Sequence, residues 1–411
     1  MVNRRSFIQA GVLAGSAALL RNATFAQAGQ TVSNIGDSGS AVVAPPKGFY
    51  PYCGISGAGY PVTRESAIGG WHSGTVGVAY KGSHPPQYKT LPWLNYATGS
   101  AVKEGLLPPL RPLLDVHVRD TIICLGGDGH YYMTGSTGDN IWAFNDGVEL
   151  WRSPDLENWK YLGLVWSVEK DGGWERHWRT LHDLPSRAVW APEIHYVRGN
   201  YYICLSMAPS GTSILKSTTG KPEGPYAHAF SPEKPITGGI DATLFEDDDG
   251  SVYFTWGPAT QIVEMKPDLT GFAGDFRRVA LVDPDHNPAH HAEKCGTRGM
   301  NDLGHEGATL FKANGKYYLG AADSFEGRYS TCLGIADNIY GPYRMRHESV
   351  PCAGGTGFFK DKHGHWWTSY FGNDTQSPFL EKPAALRIDF ANDGRVVLAS
   401  DQPSKSDRQF R

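Results

Sequence analysis

Charge is scarce in this chain of 411 residues. Asp, Glu, Lys and Arg make up 19% of it, and 38 basic against 42 acidic residues leave a formal net charge of -4. An average globular protein has roughly 25% charged residues. Without a basic excess the chain lacks the electrostatic means to hold a polyanion, so we expect no nucleic-acid partner. Its six cysteines include no C-x-x-C pair, which excludes a zinc ribbon and a thioredoxin-like redox motif.

Glycine and aromatic residues are abundant instead. Glycine supplies 50 of the 411 residues, and Phe, Trp and Tyr together make up 12%. The usual share of glycine is about 7%. Because aromatic side chains favour strands and glycine favours tight turns, this composition predicts many short strands and few long helices. It excludes a coiled coil, a fibrous repeat and a polytopic membrane protein.

The first 28 residues have the features of an export signal. Arg4 and Arg5 form a twin arginine, residues 11–20 are apolar or small, and residues 26–28 form a small-x-small cleavage site. An uncleaved membrane anchor is the alternative, but the apolar run is short for a span, which needs about 20 residues. We predict that residues 1–28 are a twin-arginine signal peptide. The mature protein is then periplasmic or secreted, with no stable membrane span.

A turn glycine followed by an aromatic-rich strand recurs five times in the rest of the chain. The five turn glycines are Gly129, Gly199, Gly250, Gly315 and Gly364. A short apolar run precedes each turn, so each unit is predicted to be a β-hairpin. Five such units are typical of an all-β, five-bladed β-propeller, with a β-sandwich as the alternative. We predict the propeller in residues 111–411 and, in residues 29–110, an extended, irregular N-terminal segment that packs on it.

Three acidic residues occupy matching positions in this repeat. Asp120, Asp241 and Glu306 each lie nine residues before the turn glycine of their own hairpin. Because rotation about the propeller axis relates equivalent positions, we expect the three carboxylates to converge. Like charges in a partly dehydrated pocket push their pKa values apart. One carboxyl can then act as an acid while another stays an ionised base.

Several segments resemble glycoside hydrolase family 43, in the family's own order. They include VRDTIICLGGDGHYYMTGS, AVWAPEIHYVRGNYYI and HEGATLFKANGKYYL, and together they span about residues 114–375. The resemblance implies a five-bladed propeller that hydrolyses arabinosides, xylosides or galactosides with inversion. The family's action is exo or endo, and we predict exo action on plant or algal polysaccharides. By the same resemblance Asp120 is the general base and Glu306 the general acid. Asp241 is the residue that orients Glu306 and raises its pKa.

Two positions depart from the family pattern. Gly355 stands where many relatives have a histidine that helps to hold a water or a metal ion, so we expect no cofactor and no metal. His305 directly precedes the predicted acid, and a related propeller family acting on anhydro-galactose oligosaccharides uses such a histidine as acid. Adjacent residues of a strand face opposite sides, so only one of His305 and Glu306 should face the axis unless a bulge intervenes. We predict Glu306 as the acid, with His305 as the alternative.

Further residues are predicted to surround the acids and contact a sugar. An aromatic platform beside a carboxylate suits a sugar, because the C–H face stacks while hydroxyls accept and donate hydrogen bonds. The predicted substrate-binding residues are Trp190, Glu193, His305 and Arg328. Residues 285–295 contain His290, His291, Glu293 and Cys295, but their spacing matches no familiar zinc pattern, so we interpret them as a pocket wall. A non-catalytic carbohydrate-binding propeller is a further alternative, and the three intact acids argue against it.

Overall fold

The computed structural model describes residues 100–403, except residues 115, 138–144, 182–183, 280–302 and 375. The predicted signal peptide and most of the predicted N-terminal segment lie outside these residues. So does the histidine-containing stretch 285–295. Within the described residues, no helix is long and apolar enough to cross a membrane.

Five four-stranded antiparallel sheets, numbered here as blades 1 to 5, follow one another along the chain. The strands of blades 1 and 2 are β1 (Val118–Leu125), β2 (Tyr131–Thr137), β3 (Gly147–Ser153), β4 (Lys160–Ser167), β7 (Val189–Val197), β8 (Asn200–Met207), β9 (Thr212–Ser217) and β10 (Tyr226–His228). Those of blade 3 are β11 (Thr243–Glu246), β12 (Val252–Thr255), β13 (Gln261–Glu264) and β14 (Arg277–Arg278). Those of blades 4 and 5 are β15 (Glu306–Ala313), β16 (Lys316–Phe325), β17 (Arg328–Ala336), β18 (Arg344–Val350), β19 (Phe358–Lys360), β20 (Trp366–Tyr370), β21 (Ala384–Phe390) and β22 (Val396–Leu398).

The first strands of the five blades surround a common axis. β1 contacts β7, β7 contacts β11, and the contacts continue through β15 and β19 back to β1. Within each blade the strands are hydrogen-bonded in chain order, so each sheet extends outward from the axis. This closed ring confirms the predicted five-bladed propeller, and it places the start of every first strand at the same end of the axis.

The blades pack face to face through aromatic side chains contributed by the predicted hairpins. Tyr132 of blade 1 and Tyr201 of blade 2 have ring centroids 5.4 Å apart, and Phe311 and Phe358 join blades 4 and 5 at 4.5 Å. Burying one such ring stabilises the fold by roughly 1.5–3 kcal/mol. The buried hydrophobic clusters therefore lie between blades and fix the angle of each blade about the axis.

The hairpins that join the first two strands of each blade have two lengths. In blades 2 and 4 only two residues connect the paired strands, Arg198–Gly199 and Asn314–Gly315, and all four have positive φ. This is the type I′ geometry that matches the twist of the flanking strands. In blades 1, 3 and 5 the connections are longer, at residues 126–130, 247–251 and 361–365. Counting from the turn glycine therefore does not give the same register in every blade.

The remaining described elements lie between and beside the blades. Helix α1 (Ser100–Lys103) and the residues after it pack on blade 5, where Ala101 and Leu107 join the cluster of Tyr370 and Phe379. Between blades 1 and 2 lie α2 (Val168–Asp171), a 3-10 helix (Trp174–Arg176), β5 (Arg179–Leu181) and β6 (Leu184–Ser186). That the rest of residues 29–110 also packs on the propeller stays a prediction.

His347 joins blades 4 and 5 as a neutral buried group. Its Nδ1 lies 2.8 Å from the carbonyl oxygen of Met345, and its Nε2 accepts the N–H of Val396 at 3.0 Å. Because Nε2 accepts, Nδ1 carries the proton. Burial lowers the pKa of His347 from 6.5 to about 4, and the nearby Arg395 adds to this effect.

Acid should therefore weaken the contact between blades 4 and 5. Between pH 6.5 and about 4 the unfolded chain binds a proton at His347 that the folded chain does not. The stabilisation is complete above pH 6.5 and is lost as the pH falls, by up to about 3 kcal/mol. We expect the Tm of His347→Gln to fall less than the Tm of the wild type when the pH is lowered from 7.5 to 5. The exposed His363→Gln should behave like the wild type, and an equal loss in all three proteins would contradict this origin.

Candidate active site

The three predicted acids meet at one end of the propeller axis. Asp120 lies in β1, Asp241 lies two residues before β11, and Glu306 begins β15. The charges of Glu306 and Asp120 both act on Asp241, and the charge of Glu306 acts on Asp120. The convergence that the repeat predicts is therefore present in the structure.

A left-handed residue at the head of each first strand brings these groups to the axis. The five residues, one from each blade, are Asp120 (φ 50), Ala191 (φ 42), Asp241 (φ 57), Gly307 (φ 64) and Gly355 (φ 70). Positive φ is uncommon for residues other than glycine, although aspartate adopts it more readily than most. In β1, β7 and β15 the pairing register also shifts at this point, so the strand is bulged.

Glu306 is offset from the other two acids by one residue. Asp120 and Asp241 are themselves the left-handed residues of their blades, whereas in blade 4 that residue is Gly307. In blade 4 the turn glycine Gly315 follows the left-handed residue by eight positions, whereas Gly129 and Gly250 follow theirs by nine. The shared nine-residue spacing therefore selects Glu306 at a position that is not strictly equivalent, and its role as the acid stays a prediction.

Asp120 is held as a weakly acidic carboxyl. Ser136 Oγ donates to its Oδ2 at 2.8 Å, and the same Oγ accepts the N–H of Ala191 at 2.7 Å. Burial raises the pKa of Asp120 from 3.8 to about 6, and the charge of Glu306 adds to the rise. Arg119 and Ser136 act in the opposite direction. The carboxyl is therefore ionised above about pH 6, as a general base must be.

Of the other two acids, Asp241 is the weaker acid. Burial, together with the charges of Glu306 and Asp120, raises the pKa of Asp241 well above its ordinary 3.8. Its Oδ2 accepts the N–H of Gly307 at 2.7 Å. Burial would raise the pKa of Glu306 too, but the neighbouring donors outweigh it and lower that pKa from 4.5 to about 2. The expectation that Glu306 has a raised pKa is wrong for this state.

The groups that lower the pKa of Glu306 are His305 and Tyr329, through hydrogen bonds, and the charges of His305 and Arg119. The Tyr329 hydroxyl donates to Glu306 Oε1, and His305 Nε2 lies 3.6 Å from the same oxygen. Because the register shifts directly after Glu306, the two adjacent side chains reach the same region and do not face opposite sides. The predicted exception, a bulge, therefore applies.

Arg119 belongs to a buried network behind Asp120 that the motifs do not indicate. Its Nη1 donates to Glu381 Oε1 at 2.6 Å, and His117 Nε2 lies 2.5 Å from Glu381 Oε2. Burial opposes ionisation of Glu381, but Arg119 and His117 hold its pKa below 4.5. Arg119 adjoins Asp120 in the sequence, which is a usable signal. Tyr329 and Glu381 follow from no spacing in the chain.

The other predicted substrate-binding residues make internal contacts. Trp190 is 8% exposed and packs with Ala188 and Ala208, and Glu193 is 6% exposed with its Oε2 3.1 Å from His195 Nε2. Arg328 forms an ion pair with Glu348 at 2.8 Å. Glu193 still acts electrostatically on Asp241. Substrate contact through Trp190, Glu193 and Arg328 stays a prediction.

Gly355 lies beside Asp120. A Cβ at this position would lie 3.4 Å from Asp120 Oδ1, about van der Waals contact, and its φ of +70° disfavours a side chain. Among the described residues, no group of three or more His, Cys, Asp or Glu side chains could hold a metal ion.

Three carboxyls at one end of a propeller axis, one of them ionised above about pH 6, supply the groups that a glycosidase working through two carboxyls requires. Sequence comparison is more specific. The profile "Glycosyl hydrolases family 43" matches residues 109–396, which is well over half of the chain. The chain belongs to this family, whose members are inverting glycosidases. The resemblance noted in the motifs is thereby confirmed, and the alternatives of a carbohydrate-binding propeller and an anhydro-galactosidase are not favoured.

Individual relatives are distant. The chain is 26% identical over 270 residues to the beta-D-galactofuranosidase xynD of Aspergillus niger, which covers 61% of this chain and 69% of that protein. It is 26% identical over 228 residues to a xylosidase/arabinosidase of Butyrivibrio fibrisolvens, covering 53% of this chain but only 39% of that protein. The chain thus spans about two fifths of the second relative's length.

Solved structures agree on the fold. A thermostable family-43 glycoside hydrolase superimposes with a TM-score of 0.53 at 19% identity, covering 73% of this chain and 97% of that chain. At this identity the likeness concerns the fold alone.

Gly307 offers a direct test of the site's backbone geometry. A Cβ there would lie 2.7 Å from both the Cα and the N of Gly355, so Gly307→Ala should displace the two strands and with them Glu306. A displacement of about 1 Å can cost ~100-fold in rate, so we expect kcat/KM on a nitrophenyl glycoside to fall by at least that factor.

Gly315→Ala is the matched control for this substitution. Gly315 has a similar φ of +73°, yet nothing lies within 4 Å of its added Cβ. The left-handed conformation alone costs about 1–2 kcal/mol, so Gly315→Ala should lower Tm and leave kcat/KM within about twofold. If the two variants behave alike, the close approach of Gly307 to Gly355 has no catalytic role.

Proposed function

We propose that this protein hydrolyses a glycosidic bond with inversion, with Asp120 as general base and Glu306 as general acid. The observation that carries the proposal is the meeting of Asp120, Asp241 and Glu306 at one end of the axis in a family 43 chain. In such a reaction Asp120 takes a proton from the attacking water, and Glu306 protonates the leaving oxygen.

The resting charges support these roles and add a requirement. Asp120 is ionised above about pH 6 and can accept the proton of water. Glu306 is ionised as well, so it must gain a proton before it can act as the acid. Asp241 lies against Gly307, the residue after Glu306, and through this hydrogen bond it fixes the backbone that carries the acid.

We further propose that the substrate is an arabinoside, xyloside or galactoside from a plant or algal polysaccharide, cleaved at its terminal sugar. The names of the relatives support this range, since one is a galactofuranosidase and another a xylosidase/arabinosidase. A panel of nitrophenyl arabinofuranoside, xyloside, galactoside and galactofuranoside substrates would identify the sugar. The choice of sugar lies in the loops around the pocket and not in the fold.

Export of the folded protein by the twin-arginine route is likewise a proposal. Its support is the sequence of residues 1–28, with Arg4 and Arg5 before a short apolar run. Cell fractionation tests it, since the mature protein should be found outside the cytoplasm.

Replacing the base should abolish turnover. Asp120→Asn keeps the shape of the side chain and its hydrogen bond from Ser136 but cannot accept a proton, so we expect kcat to fall by about 10²–10⁴-fold with little change in substrate binding. Proton NMR of the first product of the wild type should show the opposite anomer from the substrate. A retained anomer, or full activity of a folded Asp120→Asn protein, would reject the scheme.

Replacing the acid should depend on the leaving group. Glu306→Gln cannot protonate the glycosidic oxygen, so substrates with poor leaving groups should lose most activity. Nitrophenyl glycosides need little protonation and should lose much less. Brønsted plots of kcat/KM against the leaving-group pKa, recorded for the wild type, Glu306→Gln and His305→Gln, measure this. If the steeper dependence follows His305→Gln instead, the imidazole contacts the leaving oxygen and Glu306 is not the acid.

A further inference from the structure

Two buried residues of blade 4 lie behind His305. Neither the motifs nor the family resemblance assigns a role to them. Asp323 is in β16 and Arg346 in β18, and each side chain is 4% exposed. Asp323 Oδ2 accepts from Arg346 Nη2 at 2.7 Å, and Asp323 Oδ1 lies 3.2 Å from His305 Nδ1. Arg346 is fixed in turn, because its Nε donates to the carbonyl oxygen of Leu303 at 2.8 Å. One carboxylate therefore bridges a guanidinium and the imidazole.

The imidazole continues this row of charges to the acid. With Nδ1 facing Asp323, Nε2 lies 3.6 Å from Glu306 Oε1. The row therefore alternates in sign from Arg346 through Asp323 and His305 to Glu306. Both ring nitrogens face carboxylates, so the imidazolium, which carries a proton on each nitrogen, suits both neighbours.

We propose that Asp323 and Arg346 are positioning residues that hold His305 as an imidazolium, and that His305 stores the proton which Glu306 delivers to the leaving oxygen. The inference rests on the proposed glycosidase function, in which an ionised Glu306 must first be protonated. Asp241 is the other resting proton carrier, but its Oδ2 faces the N–H of Gly307, and no hydrogen bond joins it to Glu306 in the described part of the chain.

The proton balance of the step is complete. The Nε2–H bond of His305 breaks as an O–H bond forms on Glu306, and Glu306 passes this proton to the glycosidic oxygen as the C–O bond breaks. Asp120 takes one proton from water while the remaining hydroxide joins the anomeric carbon. One proton leaves His305 and one arrives on Asp120, so the site returns to its starting state by exchange with solvent after product release.

Titratable and charged groups surround the imidazole. Beyond Asp323 and Glu306 they are Tyr329 of β17 and Arg346 of β18, while Arg119 of β1 and Asp241 interact electrostatically with Glu306. Burial by itself would lower the pKa of His305, but Asp323 and Glu306 outweigh it and raise the pKa from 6.5 to about 9. The row can thus retain its proton across the neutral range.

Titration of His305 in the resting enzyme tests the positioning without turnover. In ¹⁵N-edited NMR, with His305→Gln used to assign the resonance, we expect a midpoint well above 6.5. Asp323→Asn keeps an oxygen for Nδ1 but removes the charge, so the midpoint should fall by at least one pH unit. Asp323→Glu should restore it, and Glu306→Gln, which leaves Asp323 in place, should lower it too. A midpoint near 6.5 in the wild type, or a midpoint that these substitutions do not change, would overturn the proposal.

The pH profile then tests the relay. Loss of the stored proton from His305 should cause the fall of kcat/KM at alkaline pH. Asp323→Asn should therefore move the midpoint of that fall to lower pH, by as many pH units as it moves the NMR midpoint. A shift of one unit means about tenfold less activity at the alkaline end. If the NMR midpoint shifts but the alkaline limb of the pH profile does not, His305 is not the source of the proton, and Asp241 is the remaining source.

Glu175→Gln serves as the matched control. Glu175 is another fully buried carboxylate that holds a histidine, His228 Nε2 at 3.0 Å, but it lies at blade 2. The substitution should lower Tm and leave the pH profile unchanged. If the wild type hydrolyses no glycoside, the proposed function fails and the relay with it, whereas the NMR titration still decides whether Asp323 holds the imidazolium.

Discussion

The site depends on one backbone constraint, the left-handed residue at the head of each first strand. Such a conformation costs roughly 1–3 kcal/mol for residues other than glycine, so it persists only where the surroundings hold it. Two hydrogen bonds stabilise this conformation at Asp241. Ser206 Oγ accepts the backbone N–H of Asp241 at 2.7 Å, and the N–H of Gly307 donates to the Asp241 carboxyl. Because five such residues close round one axis, carboxyls at positions 120, 241 and 306 of the chain lie together.

A second constraint is electrostatic. Bringing Asp120, Asp241 and Glu306 together without cations would raise the pKa of all three. The structure instead places His305 and Arg119 beside Glu306. The pKa values of Asp120 and Asp241 are therefore raised, and that of Glu306 is lowered. The pKa values of the three carboxyls are thereby separated by neighbours outside the carboxyl set.

The acids and the predicted sugar-contacting residues are held differently. Asp120 accepts a hydrogen bond from the Ser136 hydroxyl at 2.8 Å, and Asp241 accepts one from the Gly307 N–H at 2.7 Å. Trp190 packs with Ala188 and Ala208, and Arg328 forms an ion pair with Glu348. A buried ion pair that loses one partner leaves an uncompensated charge, so Arg328 is restrained in this state.

The sequence alone determined the repeat, the blade count and the three acids. These follow from local signals, namely a turn glycine, an aromatic strand and an acid at a fixed distance, and such signals survive because each blade folds as a small sheet of its own. The chain also fixed Arg119 and His305 as neighbours of acids, although not what they do there.

Only the tertiary structure decided the register of the hairpins, the direction in which the side chains point and the pKa values of the acids. The two-residue turn of blade 4 offsets Glu306 from Asp120 and Asp241, and the bulge after Glu306 turns His305 to the same side. Tyr329 and Asp323 reach this pair from neighbouring strands, at 23 and 18 residues' separation. A pKa depends on every charge and on the burial around a group, so no spacing in the chain could show that the pKa of Glu306 is lowered while that of Asp241 is raised.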